Sequence, residues 1–149
     1  MKYWTKEWLR DPEGREPTLP DEAEYEKTLS LLPPFYAQDF TMYDCTLTEA
    51  KEEECTLTLR FDASRSYSSI NALTYTGVRW IERETELAAG LVWLYDEIYR
   101  EEGRFVQHIL MRDAEEQLYY LTFSFDSVGA GYDEARKREE DTLFGLFGQ

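Results

Sequence analysis

His108 is the only histidine of the chain, so any mechanism that needs an imidazole has to run through it. A Ser-His-Asp or Cys-His set requires a nucleophile within hydrogen-bond reach of that ring. The residues from Phe105 to Met111 alternate as a strand does, and no cysteine stands near His108 in sequence. A structural histidine is therefore expected, and no catalytic residue is assigned. One histidine among 31 acidic residues makes a nearby carboxylate uninformative, so neither a metal site nor a glycosidase-like carboxylate pair is singled out. Gly129-Ala130-Gly131 lacks the pattern of a phosphate-binding loop, and no cofactor is expected. What remains is a polar row. Four-residue turns at Arg100–Gly103 and Asp113–Glu116 would set Tyr95 opposite His108, Asp96 opposite Gln107 and His108 opposite Leu121. Asp96, Gln107 and Thr122 then lie side by side, either as a hydrogen-bonded row or as the polar floor of a ligand pocket. The candidate ligand-binding residues are Tyr95, Asp96, Gln107, His108 and Thr122.

The elements that must position these residues are legible as changes of period. Thr5 caps a short turn carrying Trp8 and Leu9 that Asp11-Pro12 ends, and a helix from Pro20 carries Tyr25, Leu29 and Leu32 at helical spacing until Pro33-Pro34. A further turn runs from Phe35 to Phe40. From Met42 the period becomes two, with Tyr43, Cys45 and Leu47 and then Cys55, Leu57, Leu59 and Phe61 on one face. Cys45 and Cys55 lack zinc-site spacing and are expected as buried free thiols; a cross-strand disulfide is the alternative if the hairpin centres on Ala50. Ile70 to Glu82 reads as a third strand with a bulge at Gly77. Leu87 to Arg100 also fits a helix, but Gly90 and the aromatic content favour strand, followed by strands at Phe105 to Met111 and Leu118 to Asp126.

The expected fold is α+β: N-terminal helices packed on an antiparallel meander sheet of about five or six strands, with a short C-terminal helix or tail. A single domain covers 1–149, as a helical segment at 1–40, a sheet at 42–126 and a tail at 129–149. Both faces of the threaded sheet are apolar, with Trp93, Tyr95, Tyr99, Val106, Leu110, Phe123 and Phe125 on one and Val92, Leu94, Ile98, Phe105, Ile109 and Met111 on the other. Two covers are then needed. The second would be the Leu143 to Phe147 tail, a second subunit or another protein.

A net charge of −15 repels a nucleic-acid backbone, and the single basic run, Arg136-Lys137-Arg138, is flanked by acids and reads as a solvated helix face. No stretch approaches a membrane span, and the start lacks the apolar core of a signal peptide, so a cytoplasmic location is expected.

Met1 to Trp8, the loop Phe61-Asp62-Ala63-Ser64 running to Ile70-Asn71, and Trp93-Leu94-Tyr95-Asp96-Glu97-Ile98-Tyr99 followed by His108-Ile109-Leu110 resemble the bacterial domain of unknown function 4085, found mainly in Firmicutes. That family tends to place His-Asp at the first strand, where this chain has Tyr43-Asp44. The family has no assigned activity, so the resemblance implies no function. The reading that follows is a non-enzymatic binding or assembly protein that uses an aromatic sheet face for a homodimer or a protein partner. The alternatives are an acidic immunity-type protein that neutralises a basic toxin, and a small-ligand carrier or unrecognised enzyme.

Overall fold

Alternation does most of the work of placing the strands. In Thr56–Asp62 the side chains of Leu57, Leu59 and Phe61 are buried while Arg60 and Asp62 face water, the pattern of a sheet wet on one side. The computed structural model describes Lys6 and residues 27–38, 42–64 and 68–133. Eight strands follow one another: β1 (Thr46–Glu53), β2 (Thr56–Asp62), β3 (Ile70–Thr76), β4 (Arg79–Arg83), β5 (Val92–Glu101), β6 (Arg104–Arg112), β7 (Leu118–Phe125) and β8 (Ser127–Tyr132). They form one antiparallel sheet in the order β4-β7-β6-β5-β1-β2-β3-β8.

The two outer strands of that order are joined covalently to its interior. β4 prolongs β3 across Gly77 and Val78, and β8 prolongs β7 across Asp126. Thr76 faces Ser127, and three residues on along one strand and three back along the other Arg79 faces Ser124. One ladder therefore continues through both bends, where the Asp126 N–H donates to Thr76 O at 2.8 Å. The sheet closes on itself as a barrel of six paths, two of them long bent strands.

Gly77 makes the bend possible. Its φ is +70°, and a Cβ there would overlap the Asp126 carboxylate, with Cγ at 2.6 Å. Arg104, at the start of β6, clamps the corner: its guanidinium donates to Asp126 Oδ1 at 2.6 Å, to Ser124 Oγ at 3.2 Å and to Gly77 O. On the far side the wall is completed by the Thr46–Val92 pair and by bonds such as Trp93 N–H to Cys45 O and Leu47 N–H to Leu91 O.

The interior is filled by aromatic rings. Trp93, Tyr75, Phe123 and Phe125 are at most 1% exposed, and Tyr75 meets Phe123 and Phe125 edge-on at 4.8 and 4.9 Å. Each buried ring contributes roughly 1.5–3 kcal/mol by burial, and each such pair about 0.5–1.5 kcal/mol more.

The expected α+β fold, with N-terminal helices on five or six strands, does not hold. Among the described residues helix is confined to Lys6, residues 27–30 and α1 (Pro34–Gln38), and the sheet has eight strands. The strand count rises because Gly77 divides the expected third strand in two, and because Ser127–Tyr132, which reaches into the expected tail at 129–149, pairs with β3. Ser127–Tyr132 can do so since Gly131 lets the two strands approach, a Cβ there lying 3.1 Å from the Ala72 Cβ. The expected turn carrying Trp8 and Leu9, the start of the Pro20 helix, the Arg136 cluster and the Leu143 to Phe147 tail lie outside the described residues. Residues 92–101 are strand, as Gly90 suggested. The first strand begins at Thr46, later than Met42, and its hairpin turns at Glu54-Cys55, since Glu53 pairs with Thr56. That leaves Cys45 buried and Cys55 exposed in the turn with no disulfide between them, so the disulfide alternative falls, and so does the expected burial of Cys55.

Candidate functional site

A bulge between Trp93 and Tyr95 resets the alternation of β5, so that Trp93, Asp96 and Ile98 belong to the inner face. Gln107 of β6 also points inward and is 0% exposed. Pro34 suits the first turn of α1, and the helix puts Tyr36 over the same end of the barrel. These three elements and β3 converge on one carboxylate. Asp96 Oδ2 accepts from Tyr36 Oη at 3.0 Å and from Gln107 Nε2 at 3.0 Å, and Oδ1 accepts from Trp93 Nε1 at 3.3 Å. Gln107 Oε1 lies 3.1 Å from Tyr36 Oη and 3.4 Å from Tyr75 Oη, and Gln107 Nε2 also reaches Glu97 O at 3.4 Å.

No cation balances this acid among the described residues. Asp96 as a residue keeps some exposed surface, yet its carboxyl is enclosed, and the carboxyl governs titration. Burial pushes its pKa up to about 6, with the Glu97 charge adding, against the lowering effect of the hydrogen bonds from Tyr36, Trp93 and Gln107. Tyr75 is pushed up as well, by burial and by the Asp96 charge.

The other predicted site residues lie elsewhere. The β5–β6 turn holds two residues, Glu102-Gly103, because Glu101 pairs with Arg104; Asp96 therefore faces Ile109, and Gln107 faces Ile98. That slip is of two residues and preserves the face, so Asp96 and Gln107 still meet. The β6–β7 loop runs over Asp113–Gln117, tied by Asp113 Oδ1 to the Glu115 and Gln117 N–H groups at 2.9 Å each. This slip is of one residue and turns β7 over. Tyr119, Leu121, Phe123 and Phe125 then face the interior, and Thr122 leaves the Asp96 row for the outer face. There it sits 3.2 Å from His108 Nδ1, in a row with Glu97, which is 3% exposed and accepts from Tyr99 Oη at 2.5 Å. Tyr95 also points outward and packs on the exposed Tyr43 at 5.7 Å. The Tyr43-Asp44 pair lies in the turn before β1, where the Asp44 N–H donates to Trp93 O at 2.9 Å.

Tyr36, Tyr75 and Trp93 complete the network without having been singled out. The Pro33-Pro34 pair ahead of Tyr36 was the available signal, as it breaks one helix and starts another. Chemically the cluster can bind and release a proton. No group of three or more His, Cys, Asp or Glu able to hold a metal occurs among the described residues. A separate open cleft of about 410 Å³ near Phe61, Ala63 and Asn71 carries Asp62 and Asp133 at its rim.

The second apolar face is not bare. Leu94, Val106 and Leu110, outside the core cluster, are 6%, 4% and 0% exposed in the single chain, and Lys6 lies over the Tyr120 ring at 4.4 Å. None of the described helices is long and apolar enough to cross a membrane. Comparison with family models, curated proteins and solved structures finds no match.

Proposed function

We propose that the chain is a non-enzymatic binding module for a basic protein partner, the role of an immunity-type inhibitor, in a chain that resembles a bacterial family without assigned activity. The carrying observation is where the acid sits. The β1–β2 turn, the end of β4 and the β6–β7 loop share one end of the barrel, as Arg83 of β4 bonds Glu52 of β1 at 2.8 Å and Glu84 N–H bonds Tyr120 O at 3.2 Å. Glu53, Glu54, Glu86, Glu115 and Glu116 are all exposed there. Glu54 and Glu116 occupy φ of 54° and 66°, a left-handed region that Gly or Asn adopts at lower cost. The exposed carboxylates at that end, added to a net charge of −15, speed encounter with a cationic surface. The burial of Leu94, Val106 and Leu110 on the outer face, and the rings that fill the interior, favour this reading over the aromatic-face and ligand-carrier ones.

The test is titration with hen egg-white lysozyme as a basic probe at 50 and 300 mM salt. Binding that weakens with salt is expected, and Glu53→Gln/Glu116→Gln should weaken it several-fold more than Glu101→Gln/Glu102→Gln, which removes as much charge from another turn. Equal loss from the two variants, or no binding at low salt, overturns the proposal.

A further inference from the structure

We propose that Asp96 is a protonation switch for the seating of α1: the seated helix favours the neutral acid, and loss of its proton shifts α1 toward an open state with Tyr36 lifted from the network. The geometry allows both states. With Asp96 ionised, the single Tyr36 hydroxyl proton goes to Oδ2. With Asp96 neutral, its own proton goes to Tyr36 Oη, and Tyr36 donates to Gln107 Oε1, 3.1 Å away. No donor or acceptor of the network is orphaned by taking up the proton.

The groups that face Asp96 are Tyr36 from α1, Tyr75 from β3, Trp93 and Glu97 from β5, and Gln107 from β6. None is a cation, and Glu97 is a like charge. The ionised form is therefore held at a cost, which is relieved when α1 lifts and water reaches the carboxyl. The sign follows. The seated form has a pKa of about 6 against an ordinary 3.8, so it binds the proton more tightly than the open form. Seating is firmest below the ordinary value and weakens as pH rises through about 6.

With those two values, the equilibrium between open and seated α1 shifts toward open by about tenfold from pH 5.0 to 7.5. That range stays above the isoelectric point of about 4.4. The test is amide hydrogen exchange, corrected for intrinsic rate, at Tyr36, whose N–H bonds Pro33 O at 3.0 Å, with Leu110 of β6 as the sheet reference. The Tyr36 amide is expected to exchange through an opening smaller than that of the sheet, its opening constant rising about tenfold across the range, and the rise should vanish in Asp96→Asn. A pH-independent Tyr36, the same rise in Asp96→Asn, or exchange of Tyr36 only together with Leu110 overturns the switch. A direct carbon-13 titration of the Asp96 carboxyl in the unsubstituted protein decides independently of whether the variant folds: a midpoint near 6 supports it, and one near 4 overturns it.

Discussion

Replacing Glu54, Glu102 and Glu116 by Asn should stabilise the protein, although each sits in a tight turn that the fold depends on. The three have φ of 54°, 51° and 66°, and no side-chain partner is found for any of them among the described residues. An L side chain in this region costs about 1–2 kcal/mol, because Cβ crowds the following carbonyl. Asn visits the region more readily and, unlike Gly, does not loosen the unfolded chain by a further 0.5–1 kcal/mol or so. A gain of about 0.5–1 kcal/mol per site follows. The sites lie in separate turns with no shared partner, so the triple variant should gain roughly 2 kcal/mol. In urea, with a slope of about 2 kcal/mol/M, the midpoint rises by about 1 M. Charge is the confounder, since three fewer carboxylates also relieve repulsion in a chain of net charge −15. Glu→Gln at the same three positions removes the charge and keeps the backbone penalty, so it should recover only a small part of the gain. If the Gln variant is as stable as the Asn variant, repulsion and not backbone strain sets the effect, and the argument from the turns fails. A midpoint at or below that of the unsubstituted protein would refute it outright.

Two further substitutions probe the architecture by chemical denaturation. Gly77→Ala puts a Cβ into the Asp126 carboxylate at φ +70° and disturbs the Arg104 clamp, so a loss of about 2–4 kcal/mol is expected, where an ordinary exposed turn would lose well under 1. Leu110→Ala should cost about 2–5 kcal/mol, because Leu110 is 0% exposed on the outer face; a loss below about 0.5 kcal/mol would mean that this face is open.

Much of the sheet is legible in the sequence because burial on one side imposes a period of two, as Leu57, Leu59 and Phe61 show. Hairpin register is not, since turn length is set by residues whose backbone preferences the local pattern misstates. Glu102 is an example: a glutamate at positive φ makes a two-residue turn with Gly103 where a longer one would be expected. The slip of two residues there was harmless to the faces, and Asp96 still met Gln107. The slip of one at Asp113–Gln117 was not, and it sent Thr122 to the outside and Phe123 within. Tyr36 was out of reach for a different reason: a helix arriving from a distant part of the chain leaves no periodic trace at the strand it covers. The bend at Gly77 was visible as a break in a strand. That it aligns with Asp126 and closes the sheet depends on pairing between segments far apart in sequence.

That long-range closure has a consequence for how the chain acquires its structure. The β1–β2, β5–β6 and β6–β7 pairs are local hairpins, but the ladder of β3 and β4 with β7 and β8 joins Ile70 to Tyr132 and Arg83 to Leu121. Contacts of this span are paid for in loop entropy before they return anything, so the seam is expected to form last and slowly. During synthesis the first four strands are complete at Arg83, yet β3, paired with β2 along one edge, waits for β8 along the other, and β4 waits for β7, until Leu118 to Tyr132 has left the ribosome. Through that interval the inner faces of Leu73, Tyr75 and Trp80 are uncovered, and the charged ends of the hairpins are what the nascent chain has to keep itself apart from its neighbours.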